Sequence, residues 1–449
     1  MKKSTCNRSF KNQIRLLVLS FLIFLLPAAH LFAQDSPSQL NFTQLLDSAL
    51  QNNYLLDANE KNKLIKEAEI EILQTNYQPQ ISTSLTASFW KFLLPNKQRL
   101  LGNSLTDVYT DITFQQTLYD WGEQDIKKSA IEQEIVLNDD IRRQIRNTII
   151  WGVSDTYFEV LKARAEVDAH RNSIQQLNAH RQYAQNLHDI GKVSGVDILK
   201  IEVQISVAEK ALRKAENNIT AQLVKLKRLC NLSADELPGI VDQSETFFNN
   251  WENRLLLPDS IYTEALSNHP VLLASDIKMS LEAKQKELYR LENRPELYSY
   301  GIASWAHGYL PFGNNFNYNI GVGLRFTIPY WGGSSYKTKM VQSDYRVEQI
   351  DDEKTQAITD IKKEIDLALA EIADNKDEMQ NNQRIMALSE ETLNNSLVIY
   401  QSGQGAIIDV LDAQSILTES TIAWQKSTLL FLQSVAKLNY LTGNDNYPF

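Results

Sequence analysis

The sequence predicts a mainly helical chain that also carries strands of a transmembrane β-barrel, and three observations lead there. Residues 41–230 and 259–443 repeat the same signals in the same order, a helix, a strand pair, a long helix and a further helix. Each half contains a proline-free helical run of roughly 70 residues with an apolar repeat every seventh position, the period of coiled coils. In Asn317 to Pro329, finally, Tyr318, Ile320, Val322, Leu324, Phe326 and Ile328 alternate with Asn317, Asn319, Gly321, Gly323, Arg325 and Thr327. A strand alternates its side chains between two faces, so this one is apolar on one face only.

The amino terminus sets the compartment. Five basic residues (Lys2, Lys3, Arg8, Lys11, Arg15) precede an apolar run, Leu16 to Leu26, and a small-residue exit at Ala28, Ala29 and Ala33. That pattern is a secretory signal peptide, assigned to residues 1–33, and its apolar core is too short for a membrane-spanning helix. Cys6 precedes the apolar core, which leaves Cys230 as the lone mature cysteine and excludes an internal disulfide. Taking the five leader cations from a total of 45 leaves 40 against 55 acidic residues. So acidic a chain is not expected to bind nucleic acid. With a mean hydropathy of −0.33 and no mature apolar stretch near 18 residues, any membrane crossing falls to strands.

The repeat registers define the elements. Ala49, Leu50 and Asn52 match Ala265, Leu266 and Asn268; Pro79 matches Pro295; Asp120-Trp121-Gly122 matches Tyr330-Trp331-Gly332; and Gly191, Asp197 and Leu199 match Gly403, Asp409 and Leu411. The first repeat, 34–230, reads as a helix (41–77), a hairpin at about 80–118, a long helix 122–190 and a helix 196–230. An irregular linker, 231–258, with Pro238 and Gly239, suits an equatorial belt. The second repeat, 259–449, reads as a helix (259–293), a hairpin at about 297–329, a long helix 332–402 and a helix 406–442. Polar, glycine-containing stretches at 95–106 and 307–315 suit outer hairpin loops.

The long helices show how they pack. Ile358, Ile365, Ile372, Met379, Met386, Leu393 and Tyr400 form one sevenfold row, broadened by Ile361, Ala368, Leu388 and Leu397. In the first half, Val153, Val160, Val167 and Ile174 run beside a second row, Ile149, Thr156, Ala163, His170, Leu177 and Ala184. Two adjacent rows call for two neighbours, as in a closed ring of helices. Four strands leave open edges that lipid cannot satisfy, so the chain is expected to oligomerise. Three copies would supply 12 strands, within the range of bacterial barrels.

This order of elements, with the turn Tyr400-Gln-Ser-Gly-Gln-Gly-Ala-Ile-Ile-Asp-Val-Leu-Asp-Ala-Gln414 and its weaker copy Ile190 to Leu199, resembles the outer-membrane efflux proteins typified by TolC over nearly the whole mature chain. The resemblance implies a homotrimer in outer-membrane lipid with one shared 12-stranded barrel and one α-helical periplasmic tunnel. It further implies a periplasmic adaptor and an inner-membrane pump at the tunnel end, in efflux or type I secretion.

Both helix-to-helix turns belong at that tip, where Gly191, Gly403 and Gly405 permit the reversal. Asp409 and Asp412 lie three apart on one helix face and, repeated by symmetry, would make stacked carboxylate rings. By resemblance they match the aspartates that constrict the family's tunnel. Read alone, Asp409 could instead cap its helix. Asp197 is its first-half counterpart, but Lys200 stands in place of a second aspartate. Tyr400 matches a family tyrosine that holds the tip closed; plain packing in its sevenfold row is the other reading. Gly405 departs from TolC, which has an arginine there. Trp121, Gly122, Trp331 and Gly332 mark the barrel-to-helix corners, where tryptophan suits the membrane interface or a packed bend.

No catalytic, metal or cofactor site is expected. The chain lacks a phosphate-cradling glycine loop, a His-Glu-x-x-His and a Cys-x-x-Cys, and His170, His180 and His188 are not spaced as a metal pair. A diffusion porin would need more strands and no coiled coil. The remaining alternative is a periplasmic coiled-coil adaptor or scaffold, which would lack the one-sided strand.

Overall fold

The structure is a computed structural model and describes residues 39–91, 93, 95–96, 104–232, 237–251, 254, 256–308, 315–325 and 335–444. The signal peptide, Trp331, Gly332, the end of the last strand and much of the outer loops lie outside the described residues. In chain order the elements are β1 (Gln39–Leu40), α1 (Phe42–Gln51), α2 (Tyr54–Asn76), β2 (Gln80–Lys91), β3 (Ser104–Tyr119), α3 (Glu123–Asp189) and α4 (Gly195–Leu229). They continue with β4 (Gly239–Ile240), α5 (Ser244–Trp251), α6 (Pro258–Asn268), α7 (Pro270–Leu291), β5 (Glu296–Gly308), β6 (Asn315–Arg325), α8 (Ser335–Gln401) and α9 (Ile407–Leu441).

The two long helices, α3 and α8, have 67 residues each. At about 1.5 Å per residue each reaches about 100 Å. They run the whole height of a helical wall, and the half-length helices fill it around them. Near the sheet the wall runs α2, α3, α7, α8; toward the far end it runs α4, α3, α9, α8. The long helix α3 is thus flanked on both sides, which is why both of its rows are needed. Val153, Val160 and Val167 are buried, and so are Thr156, Ala163, Leu177 and Ala184. In α8 the single row holds at Ile365, Ile372, Met379, Leu393 and Tyr400, whereas Leu388 is 55% exposed and falls outside the buried stripe.

Two helices read from sequence as continuous are broken. The segment 41–77 divides at Asn52–Asn53, where Asn53 is extended and its side chain accepts from the Leu55 amide, a cap that starts a new helix. The segment 259–293 divides at His269, extended at φ −66° and ψ 121°, because Pro270 disfavours helix in the residue ahead of it. Each break lets a short helix, α1 or α6, turn onto the middle of the wall.

That middle holds the main core. Phe42, Leu45, Leu46, Tyr157, Phe158, Phe247, Trp251 and Leu432 pack in one cluster, with Phe42 edge-on to Phe247 at 5.4 Å. Linker residues are tied in by backbone bonds. The Tyr157 hydroxyl donates to the Val241 carbonyl at 2.9 Å and accepts from the Gln243 amide at 3.1 Å, Arg164 donates to the Ile240 carbonyl at 2.9 Å, and β1 pairs with β4 in parallel. Cys230 is buried in the same cluster, and burial pushes its thiol up to about 12, so it stays protonated.

The four long strands form one antiparallel sheet in the order β2-β3-β5-β6. The register puts Ile81, Leu85, Ile112, Trp305, Ile320 and Tyr318 on one face and Ser82, Thr113, Asp111, Ser304, Asn317 and Asn319 on the other. The apolar face is solvent-exposed in the single chain, Ile320 by 80% and Leu85 by 74%. Polar pairs knit the other face, Ser82 to Thr113 at 2.6 Å and Ser304 to Asp111 at 2.6 Å.

Candidate functional site

The far end of the wall carries two helix reversals. In each, a glycine takes a left-handed conformation, Gly191 at φ 73° and Gly403 at φ 78°, and the helix-ending carbonyls are closed by Lys192 to Leu187 at 2.9 Å and Gln404 to Ile399 at 3.2 Å. A small apolar cluster holds the ends together, with Leu177, Ala184, Ile201, Leu393, Tyr400, Ile407 and Val410.

Around this shared frame the turns differ. After the first, the Ser194 hydroxyl caps α4 by accepting from the Val196 amide at 3.2 Å, and Asp197 pairs with Lys200 at 3.6 Å. After the second, Ala406 begins α9 with no side-chain cap. Asp409 and Asp412 are both exposed while Val410, Leu411 and Ala413 between and beside them are buried. Neither carboxylate has a hydrogen bond or ion pair among the described residues, so Asp409 does not cap its helix here. Asp412 borders a groove of about 340 Å³ that it shares with Lys200, Val196, Leu199, Ile408 and Leu411.

Tyr400 is buried in the sevenfold row, edge-on to Tyr183 at 6.4 Å. Its hydroxyl is enclosed without a hydrogen-bond partner; burial, and then the nearby Asp197 carboxylate, raise its pKa. Gly405 has a steric reason. A Cβ there would stand 3.0 Å from Ile399 Cγ2 and 3.1 Å from the Tyr400 nitrogen, so a side chain there requires its neighbours to give by a few tenths of an ångström.

The seam between α3 and α9 contains groups that sequence reasoning passed over. Gln414, 2% exposed, donates to Gln176 at 2.6 Å, while Gln414 Oε1 and His180 Nε2 are buried without partners. Higher up, Glu166 pairs with Lys426 and Lys162 reaches Glu159 at 2.6 Å and Gln433 at 2.9 Å. Burial lowers the pKa of His180, with the neighbouring Gln414 side chain opposing the shift, and lowers that of His170. A polar residue one row away from an apolar heptad was the available signal; nothing in the sequence says which polar residues meet across the seam.

At the other end of α3, Trp121 and Gly122 are both left-handed, at φ 62° and 82°. The bend is locked across the repeat. Trp121 Nε1 donates to the Pro295 carbonyl at 2.6 Å, the Arg294 guanidinium lies 5.2 Å from the Trp121 ring, and Asp120 caps the Gly122 and Gln124 amides at 3.0 and 2.8 Å. Beside it opens a cavity of about 890 Å³ bordered by Tyr77, Trp121, Tyr289 and Arg325. Among the described residues no three His, Cys, Asp or Glu side chains gather in a metal-holding group.

Comparison with known proteins agrees with this layout. Residues 45–232 match the outer membrane efflux protein family. The outer membrane efflux protein BepC of Brucella suis is 24% identical over 396 residues, 85% of this chain and 80% of that protein. Among solved structures, VceC of Vibrio cholerae superposes with a TM-score of 0.70 at 14% identity over 90% of this chain and 96% of its own, and the CmeC outer membrane channel of Campylobacter jejuni with 0.69 at 16% identity over 90% and 85%. At such identity these likenesses establish the fold.

Proposed function

We propose that this chain, whose residues 45–232 match the outer membrane efflux protein family, is the outer-membrane channel subunit of a tripartite efflux or type I secretion system. It carries cargo from an inner-membrane pump and a periplasmic adaptor to the exterior, with its helical tunnel in the periplasm. The family is one of transport channels, and the chain is read as performing no covalent chemistry.

The observation that carries this reading is the sheet. Its apolar face is outward and bare, its edge strands β2 and β6 have no outer partner among the described residues, and its other face is polar. In lipid such edges must be paired. Three copies of the four-stranded sheet close a 12-stranded barrel of ordinary bacterial size. The helical wall has matching free edges, with Val341, Tyr345 and Val398 exposed on α8 and Ile65, Ile72 and Val203 exposed on α2 and α4. A trimer brings these edges together and closes the tunnel. An adaptor or scaffold has no use for an amphipathic sheet with a bare lipid-like face.

At the tip, the unpaired Asp409 and Asp412 of three copies form two stacked acidic rings, which favour cations and bind multivalent ones. Gly191, Gly403 and Gly405 shape the turns, Asp197 and Tyr400 support the packing behind them, and Trp121 with Gly122 sets the barrel-to-tunnel corner. Single-channel conductance in a planar bilayer tests this, with a trivalent cation added on the helical side. Wild type conducts cations and is blocked, and Asp409→Asn/Asp412→Asn resists block by at least tenfold in ion concentration. Block that survives the double substitution refutes the rings, and oligomers that never conduct refute the channel.

A further inference from the structure

On the polar face of the sheet, Tyr298 lies opposite Gly323 and Tyr300 opposite Gly321 in the β5–β6 register. This is the face of Asn317, Asn319 and Asp111, opposite Tyr318, Ile320 and Val322, which are 66–80% exposed. A Cβ built on Gly321 would stand 2.7 Å from Cζ and Oη of Tyr300, and one on Gly323 would stand 2.8 Å from the same atoms of Tyr298. Those are distances no side chain tolerates. Both phenol rings therefore lie folded across the neighbouring strand, in space that any residue other than glycine would fill.

Glycine inside a strand weakens it and marks a place where something must approach closely, and an aromatic ring laid over such a glycine restores the covering that a side chain would have given. Here two such pairs are adjacent. The ring centroids of Tyr298 and Tyr300 are 5.9 Å apart, and beyond Tyr298 the Arg325 guanidinium sits 4.6 Å from its ring while pairing with Glu296 at 3.4 Å. Along the sheet, then, Tyr298 is flanked by Tyr300 on one side and Arg325 on the other. A ring displaced from its glycine has its free direction off the sheet, toward the polar side.

We propose that Gly321 and Gly323 set the bore of the barrel by letting Tyr300 and Tyr298 lie flat on its inner wall. The inference rests on the barrel reading above, in which the polar face lines the lumen. Threefold repetition then places six folded phenols in two successive tiers of the barrel wall near the tunnel. Side chains at 321 and 323 would stand all six up into the path of the cargo.

The test is polymer exclusion in planar bilayers, with neutral polyethylene glycols of graded mass added on the barrel side, so that the reading is taken before the helical tip. Gly321→Val/Gly323→Val is expected to exclude polymers that enter wild type, and adding Tyr298→Gly/Tyr300→Gly to that variant is expected to restore the wild-type cut-off. An unchanged cut-off in the assembled valine variant overturns the proposal. Tyr298→Ala/Tyr300→Ala in the otherwise wild-type chain covers the case where valine prevents assembly. Flat rings predict little change of cut-off there, and a large increase means that the rings already stand in the lumen and overturns the proposal. A wild-type protein that forms no channel refutes the barrel itself, which separates that failure from an error about the glycines.

Discussion

The two tip turns share a backbone and differ in charge. Both reverse at a left-handed glycine, and both enter helices of 35 residues. The first neutralises its aspartate with Lys200 and caps its helix with Ser194. The second begins on uncapped Ala406 and leaves two carboxylates bare. The two turns share their backbone geometry, while the second lacks the side-chain cap and the ion pair of the first. Side chains that satisfy no neighbour within the chain are free to act on something passing by.

Substitutions at the turns can break or sharpen this contrast. The largest effect is expected from Gly405→Arg, which drives a side chain against Ile399 and the Tyr400 backbone; overpacking of this kind costs about 1–3 kcal/mol, read as a lower unfolding midpoint. Gly191→Ala meets open space but must hold φ 73°, a left-handed penalty of roughly 1–2 kcal/mol. If the two cost the same, steric approach is not what distinguishes the second turn.

Lys200→Asp tests the electrostatic half of the contrast. It removes the partner of Asp197 and the cation that borders the Asp412 groove, and is expected to strengthen trivalent-cation block several-fold while costing less than about 1 kcal/mol of stability, from the lost i,i+3 pair and the like charge put in its place. Unchanged block means that the first turn does not face the tunnel axis.

Acid should loosen the seam behind both turns. Burial holds the folded-state pKa of His180 below its ordinary value of 6.5, so the unfolded chain binds that proton more tightly. Stability from His180 is full above about pH 6.5 and is lost as pH falls below it. Amide exchange of α3 and α9 near the tip, compared at neutral and mildly acid pH, should accelerate in acid, and His180→Gln should flatten the difference; an identical acid response in the variant assigns it elsewhere.

The smallest effect concerns the caps. Ser194→Ala should cost about 1 kcal/mol and Ala406→Ser should gain a similar amount, each measured by thermal unfolding. A gain at 406 would mean that the missing cap is not imposed by strain in the turn.

Legibility in the sequence followed the strength of the repeating pattern. The sevenfold rows of α3 and α8 and the period-2 strand at Tyr318 to Leu324 repeat over many residues, so single exceptions such as Leu388 did not hide them. The breaks at Asn53 and His269 each depend on one local capping or proline effect inside a longer helical pattern, and the pattern concealed them. At the tip, residue types and spacing placed Asp409 and Asp412 on one face, but the same spacing allowed a helix cap.

What the sequence determined by itself was therefore periodic or local: helix and strand content, the order of the elements, and the glycines of the turns. These follow from backbone sterics and from hydrophobic period, which act between residues close in the chain. Contacts between distant segments were decided by tertiary structure alone. Trp121 reaches Pro295 and Gln176 meets Gln414 because packing one helix wall and one sheet sets the two halves in register, and Tyr300 folds over Gly321 because strand pairing puts them opposite each other; no spacing within a single element encodes these registers.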